Sequence, residues 1–392
     1  MSRALRVVMV AACPLPHPRG TPLRVQRLAE ALAAHGHDVH IVTYHLGTRA
    51  AIPGVTIHRT RNLPTYRKTS AGPSLQKLAI LDPLLALRTR AVTKQIGPVD
   101  LIHAHHYEGL LAAVLASHAT GAPLIYDAHT LLQYELSTYL ASRFEKQVDR
   151  LGAWLDRRLP RQADYVIAVT PTIREKLVTS GTVSPDRVSV VMNGVSLVDF
   201  PQAAAHQPLS PHEGRTLIYS GGLAAYQRID LLLRAFREVL RRRSDVRLRI
   251  ASHEPLERIG QMTKVYGVHR SVSLSRVTFG ELPALLDAAD VALNPRAVCV
   301  GVPMKLLNYM AAAKPIVSFV GAGYPLEHGI TGWLVRDNNV SEFADGICHL
   351  LDHPAVAQRL GDNARHAVAS RFTWEQAARS TDDVYTRVLA TA

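Results

Sequence analysis

Short apolar runs alternate with segments of helical period along almost the whole chain. In the first half the runs predict strands at 5–12, 39–44, 55–58, 100–105, 123–127 and 165–169, and the periodicity between them predicts helices near 22–35, 74–96, 108–119, 142–160 and 172–178. Near-continuous apolar strands separated by helices suit parallel βαβ units whose sheet is covered on both faces. At 199–214 the pattern stops: DFPQAAAHQPLSPHEG is rich in Pro and Ala and has no period, so it reads as a linker. The alternation restarts with TLIYSG, the helix DLLLRAFREVLRR and the strand VRLRIAS, and continues to a strand at 316–320. The expectation is an α/β chain of two doubly wound domains, residues 1–198 and 215–372. A last amphipathic helix, 373–392, carries Trp374, Ala378, Val384, Tyr385 and Val388 on its apolar side. Ligands of such sheets bind beyond the strand carboxyl ends, which places a site in a cleft where the two domains face each other.

The run GVPMKLLNYMAAAKPIVSFVGAGYPLEHGITGWLV, residues 301–335, condenses this pattern. Pro303 suits the first position of a helix, where its missing N–H would be unpaired anyway. Leu306, Leu307, Tyr309 and Met310 give that helix its apolar face, and Pro315 ends it. A buried strand follows, and Gly321 and Gly323 let the backbone turn where side chains would clash. The helix start, Val302 to Lys305, offers unpaired backbone N–H groups, and Lys305 adds a point charge. Together they predict a phosphate site.

At 392 residues the chain exceeds one usual hydrophobic core, in keeping with two domains. Its formal charge of +13 is uneven: residues 1–200 carry 23 Lys and Arg against 14 Asp and Glu. Basic clusters comprise Arg59, Arg61, Arg67, Lys68 and Lys77, then Arg88, Arg90 and Lys94, then Arg143, Lys146, Arg150, Arg157, Arg158 and Arg161. Such faces are either solvated helix surfaces or seats for anionic lipid and phosphorylated ligands. No aromatic-interleaved basic motif or helix-turn-helix signature accompanies the charge, so nucleic acid is not expected as a partner. Cys13, Cys299 and Cys348 are too few and too scattered for a disulfide framework or a zinc knuckle, which fits a reducing cytoplasm. LRVVMVAAC at the N-terminus and GLLAAVLA at 109–116 are too short to span a membrane. Any membrane contact is expected to be peripheral, at the inner face.

Four segments carry candidate chemistry. The loop PLPHPRGTP, 14–22, holds one glycine, Gly20, and lacks the triple-glycine fingerprint of dinucleotide folds. In YDAHTLLQYEL, 126–136, Asp127 and His129 end an apolar strand and share one side of it, with Glu135 on the next helix. His129 is a ligand contact or a strand-end histidine bonded to neighbouring backbone. IHAHHYE, 102–108, places His103 and His105 on one strand face as zinc candidates, but the spacing shows no third ligand and no metal is expected. His105 or His106 is then a candidate acceptor contact. In SGGLAAYQRIDLLLRAF, 220–236, Gly221 and Gly222 permit close backbone approach, and Tyr226 stacks on a ligand or packs.

The 301–335 run resembles the donor-binding segment of family-four retaining glycosyltransferases, which have the GT-B fold of two Rossmann-like domains facing a central cleft. VVMNGVSLVDF at 190–200 is similar to that family's interdomain "PNGVD" segment, HGHDVHIVTY at 35–44 to its "GHEVTVVT", and DLIHAHH at 100–106 to its "DVVHAH" strand. The resemblance implies an acceptor-binding N-terminal domain onto which the 373–392 helix packs back, and a C-terminal domain for the nucleotide sugar. It implies a metal-independent, cofactor-free transfer of a sugar from a nucleotide diphosphate to an acceptor hydroxyl, in cell-surface polysaccharide, glycolipid or secondary-metabolite glycosylation. By that resemblance Gly20 lets the backbone approach a substrate, and His129 contacts the donor sugar and, with Asp127 and Lys305, makes up the catalytic set. Gly221, Gly222, Val302 and Glu327, which is similar to a glutamate of the family's "gG..Eii", fall to the donor.

Departures are equally specific. The family's Glu, seven residues, Glu motif is replaced by Val300 and Asn308, whose amide can still bond vicinal hydroxyls. Its "GR…KG" cations are replaced by Gly222 and Gln227, leaving Lys305 and the neighbouring Arg228 to neutralise the diphosphate. The acceptor is expected on the basic first domain, at Arg67, Lys68, His105, His106 and Glu135, which suits an acceptor sugar that is lipid-linked or phosphorylated, at an anionic membrane surface. The rival readings are a catalytically degenerate GT-B scaffold that assists a partner enzyme, and a nucleotide-sugar epimerase that needs no acceptor.

Overall fold

A computed structural model describes residues 3–17, 20–69, 72, 76–139, 145–201 and 214–391. The chain divides into two compact units, Met1–Gly194 with Trp374–Ala392, and Val195–Thr373.

The first unit is built on strands β1 (Arg6–Ala11), β2 (Asp38–Thr43), β3 (Val55–Arg59), β4 (Leu101–His105), β5 (Leu124–Ala128), β6 (Tyr165–Ala168) and β7 (Val188–Val190). All pair in parallel, in the order β3-β2-β1-β4-β5-β6-β7, with Met9 of β1 set between Ile41 and His103. The central strands are buried, save Arg6 at the start of β1, because they are largely apolar on both faces, as helices on both sides of a parallel sheet require. Those helices are α1 (Gly20–Ala34), α2 (Asp82–Gln95), α3 (His106–Thr120), α4 (Leu132–Tyr139), α5 (Glu145–Arg158) and α6 (Pro171–Thr179). A π-helical turn, Lys77–Leu81, leads into α2. The strands predicted from apolar runs all form, whereas β7 and α4 carry too little periodicity to have been separated from their surroundings.

The second unit contains α7 (Ile229–Arg242), α8 (Glu257–Val265), α9 (Leu282–Asp287), α10 (Met304–Ala311), α11 (Val340–Asp352) and α12 (Pro354–Arg371). Its strands are β8 (Arg215–Ser220), β9 (Val246–Ser252), β10 (Val272–Arg276), β11 (Val291–Asn294), β12 (Ile316–Phe319) and β13 (Trp333–Val335), all parallel in the order β10-β9-β8-β11-β12-β13. Leu232 and Phe236 of α7 pack in one core with Ile250, Leu293, Phe319 and Phe343. Helix α13 (Trp374–Thr391) belongs to the first unit, where Asp382 lies 2.6 Å from His35 Nδ1 and Tyr385 Oη lies 2.7 Å from His103 Nδ1.

Three local expectations change. The first unit ends at Gly194 rather than at 198: Val195 N–H donates to the Phe372 carbonyl at 2.8 Å inside the second unit. Of the expected linker, residues 202–213 lie outside the described residues. Pro303 is the N-cap of α10 rather than its first residue, and β12 stops at Phe319 before a 3-10 turn, Val320–Ala322. Gly321 is required there by close approach, since a Cβ would sit 2.2 Å from the Ala297 carbonyl oxygen.

Candidate active site

In each sheet the first strand in sequence, β1 or β8, has neighbours that the chain reaches in opposite directions. A crevice opens at the carboxyl end of such a switch point. In the first unit that edge carries a buried polar cluster. Asp127, in β5, is wholly buried and accepts two hydrogen bonds from Arg24 of α1, from Nε at 2.8 Å and from Nη2 at 3.1 Å. Arg24 is 1% exposed and also donates to the Asn193 side chain at 3.1 Å and to the Val191 carbonyl at 3.0 Å. Burial by itself would raise the Asp127 pKa, but the Arg24 charge and the surrounding histidines outweigh it and hold the carboxyl well below its usual range.

Three histidines surround that carboxylate. His105 Nδ1 lies 3.1 Å, His129 Nε2 3.4 Å and His103 Nε2 3.7 Å from Asp127 Oδ2. His105 is fully buried, and burial, reinforced by the His103 charge, lowers its pKa to about 3, so it is neutral. His129 Nε2 sits 3.3 Å from His105 Nδ1, and its Nδ1 sits 3.1 Å from Thr21 Oγ1. Its side chain is 8% exposed, and burial lowers its pKa against the opposing pull of Asp127. A neutral imidazole held by fixed partners can present an oriented dipole to a ligand. Asp127, expected in the reacting set, is enclosed at 0% exposure and lies behind His129 at 3.4 Å. His105, expected as an acceptor contact, is equally enclosed beside Asp127.

His103, His105 and Asp127 bring potential metal-ligand atoms within 4.8 Å of one another, and Asp127 is the third donor that spacing did not reveal. Both carboxylate oxygens already accept from Arg24, whose charge occupies the neighbourhood an ion would need. This donor set does not suit a cation.

Beside it lies a second cluster. His106 adopts a left-handed backbone (φ 64°) at the start of α3, and its ring lies 3.0 Å from Glu135 Oε2 and 3.3 Å from Glu108 Oε2. Burial disfavours the imidazolium, but the Glu135 and Glu108 carboxylates outweigh it and raise the pKa to about 10. Glu108 also pairs with Lys77, and Tyr44 O–H donates to Asp82, whose pKa burial pushes up to about 6. Lys77 is therefore an internal ion-pair partner rather than part of an exposed basic face. Arg67 and Lys68 are exposed and make no hydrogen bond or ion pair among the described residues. Arg143, from the third basic cluster, and part of the 67–78 segment lie outside the described residues. Gly20 opens α1, and a Cβ there would meet nothing within 4 Å, so packing does not demand glycine.

In the second unit, β8 ends in Ser220 and the chain turns at Gly221, whose φ of 132° disfavours any other residue. A Cβ at Gly221 would lie 3.2 Å from Lys305 Cε and 3.4 Å from its Nζ, so the lysine runs directly against this turn. Lys305, 8% exposed, donates to Tyr219 Oη at 2.9 Å and to Gln227 Oε1 at 2.7 Å, with Nζ 4.0 Å from the Tyr219 ring centre. Tyr219 O–H in turn donates to the Gly222 carbonyl at 2.5 Å, and Tyr309 Oη accepts from Ser220 N–H at 2.7 Å, locking α10 to the strand end. Burial, then the charge of Arg296, holds the Lys305 pKa well below that of an ordinary lysine. Val302 and Asn308 are buried in the same segment, and the Asn308 amide makes no hydrogen bond among the described residues.

Two donor-side candidates have partners of their own in the structure. Arg228, itself left-handed (φ 55°), gives Nε and Nη2 to Asp230 at 3.0 Å each and Nη1 to Asn338 at 2.8 Å, so its fork is already satisfied. The Glu327 side chain is 56% exposed and lies 3.8 Å from Arg371. Arg24, Asn193, Tyr219 and Arg296 belong to these sites and were not singled out in the sequence. Arg24 had a readable signal, a charge inside the apolar stripe of Val25, Leu28 and Leu32.

Two parallel doubly wound units are the construction of the GT-B glycosyltransferases. The chain belongs to that group: residues 19–194 match the family model described as glycosyl transferase 4-like domain, and 214–353 match glycosyl transferases group 1. It is similar to the D-inositol 3-phosphate glycosyltransferase of Thermobispora bispora, 28% identical over 94% of this chain and 90% of that one. It is also similar to the MMP alpha-(1->4)-mannosyltransferase of Mycolicibacterium hassiacum, 26% identical over 98% and 99%. Among solved structures the fold is shared with sucrose-phosphate synthase from Thermosynechococcus elongatus (TM-score 0.83, 20% identity, 98% and 99% coverage). Anabaena HepE in complex with UDP and glucose also shares it (TM-score 0.75, 17% identity, 97% and 99%). The protein is thus a glycosyltransferase.

Proposed function

We propose that the protein is a retaining, metal-independent glycosyltransferase that moves a sugar from a nucleotide diphosphate to an acceptor hydroxyl. The observation that carries this reading is Lys305: a buried ammonium with only neutral acceptors, set against the Gly221 turn and in the first turn of α10. A buried lysine without a carboxylate is costly in the empty protein, and an anionic ligand removes that cost. In the second unit the diphosphate meets Lys305 and the backbone N–H groups from Val302, while Asn308 serves the ribose. His129, neutral and anchored, contacts the transferred sugar, and the leaving phosphate takes the acceptor proton. Stabilising charge on that leaving group is where catalysis chiefly lies.

The basic first unit supports an anionic acceptor near Arg67, Lys68, His106 and Glu135. Similarity to a protein named D-inositol 3-phosphate glycosyltransferase favours a phosphorylated one. No helix among the described residues is long and apolar enough to cross a membrane, so we assign any membrane role to peripheral attraction at an anionic cytoplasmic face. The nucleotide-diphosphate donor class is tested by calorimetric titration with a panel of uridine, guanosine, adenosine and thymidine diphosphate sugars. One of them should bind and be turned over with the acceptor; binding of none would refute the reading.

A further inference from the structure

Gly222 and Gln227 stand where a cationic pair would neutralise a donor diphosphate, and Lys305 is a single charge. A diphosphate carries at least two, so the second unit is short of one cation unless another residue supplies it. Arg228 does not, since its fork is spent on Asp230 and Asn338.

Arg296 has the required position and freedom. It follows β11, which pairs with β8 through Val291 and Leu217, so it leaves the sheet at the same carboxyl edge as Gly221. Its Nε donates to the Val298 carbonyl at 2.7 Å, and its guanidinium carbon lies 4.8 Å from the centre of the Tyr226 ring. Tyr226 immediately precedes Gln227, whose Oε1 accepts from Lys305, so an unbroken chain of contacts runs from Arg296 through Tyr226 and Gln227 to Lys305 and Gly221. Among the described residues Arg296 has no carboxylate partner, its contacts being the Val298 carbonyl and the Tyr226 ring. The acid beside this turn, Glu254, accepts from Leu223 N–H at 2.9 Å instead. Arg296 is thus pinned on a ring and by one N–H, with both Nη groups available, and its charge reaches Lys305 strongly enough to oppose the ammonium. Two like charges held close without an acid are the arrangement that a multiply charged anion relieves.

We propose that Arg296, stacked on Tyr226, is the second diphosphate cation of this glycosyltransferase and works with Lys305 in place of the two missing motif cations. A guanidinium fork grips two phosphate oxygens at once, where lysine offers a point charge. Stacking on an aromatic face holds that fork in one orientation at little further entropic cost. The proposal rests on the donor assignment above and adds the residue that sets affinity for the diphosphate over the nucleoside.

The test uses the full chain and calorimetry with UDP, GDP, ADP and dTDP, followed by the nucleoside of whichever diphosphate binds. Arg296→Ala should weaken the diphosphate about 10- to 100-fold, the loss of a charge-assisted contact, and leave nucleoside affinity unchanged. Arg296→Lys should recover part of the loss, and Tyr226→Leu should weaken binding about threefold by freeing the guanidinium. Arg296 is half-exposed, so its removal should leave the thermal transition in place. Wild-type diphosphate affinity in Arg296→Ala would overturn this inference and leave the donor assignment standing. Equal weakening of diphosphate and nucleoside would also overturn it, by showing a merely structural role. Failure of all four nucleotides to bind the unmodified protein would overturn the donor assignment and this inference with it.

Discussion

Replacing Arg24 with leucine strands the most deeply buried charge in the first unit. Both partners are enclosed, Arg24 at 1% and Asp127 at 0% side-chain exposure, and four hydrogen bonds from the guanidinium disappear together. Removing one partner of a buried, hydrogen-bonded ion pair costs about 3–5 kcal/mol. The pH dependence identifies the cause. In the wild type the Asp127 carboxyl titrates well below its unfolded value, so its contribution to stability is present above that unfolded value, about pH 4, and is lost as pH falls through the folded pKa. Without Arg24, only the surrounding histidines oppose the burial of Asp127, so its affinity for a proton rises and it or a neighbouring histidine takes one up. The deficit of Arg24→Leu should therefore be largest at pH 8 and shrink towards pH 5. Adding Asp127→Asn should recover at least about 2 kcal/mol, because it neutralises the stranded group. Urea unfolding of the wild type, both single variants and the double variant at the two pH values gives the cycle. An Arg24→Leu deficit under about 1 kcal/mol, or additive effects at both pH values, would refute the assignment of Arg24 as the charge that holds Asp127 ionised.

Other consequences follow from single positions. Ala313 sits at φ 53° just after α10, a conformation that costs a non-glycine residue about 1–2 kcal/mol; Ala313→Gly should raise stability by about 0.5–1 kcal/mol after the added chain entropy, read as a higher thermal midpoint. Gly321→Ala should lower that midpoint by the equivalent of about 1–3 kcal/mol, because the new Cβ would meet the Ala297 carbonyl and the Asp337 carboxylate. His106, with its folded pKa raised to about 10, contributes stability that is full below the unfolded value of about 6.5 and fades as pH rises through 10. His106→Gln should accordingly lose that slope relative to the wild type between pH 6.5 and 10, in midpoints measured across the range.

Much of the fold is legible in the sequence because parallel strands covered on both faces must be apolar at every position. RVVMVA, LIHAH and LIYDA declare themselves by that rule even with histidine and aspartate inside them. Val188–Val190 does not, being three residues long beside a loop. The turn at Gly221 is also legible, since a glycine pair directly follows an apolar strand. What stays hidden is pairing between distant residues. Nothing in the spacing joins Arg24 to Asp127 across 103 positions, or Arg228 to Asn338 across 110, yet those pairings hold Asp127 ionised and occupy the Arg228 fork. His105 and His106 are neighbours in sequence, but one ends a buried strand, where burial lowers its pKa, and the other begins a helix where Glu135 and Glu108 outweigh burial and raise it. Periodicity sees a residue's face. It does not see the charge that a distant segment brings to that face.

The central claim concerns Lys305 as the cation that holds the leaving diphosphate. It is tested most directly by nucleoside diphosphate release from the donor that the wild type uses, compared with Lys305→Met, a substitution of similar volume that keeps the buried stem. The account predicts a fall in kcat/KM of at least about 100-fold, as for loss of one preorganised charge-stabilising donor, with the thermal transition retained. Unchanged donor affinity and turnover in Lys305→Met would contradict it.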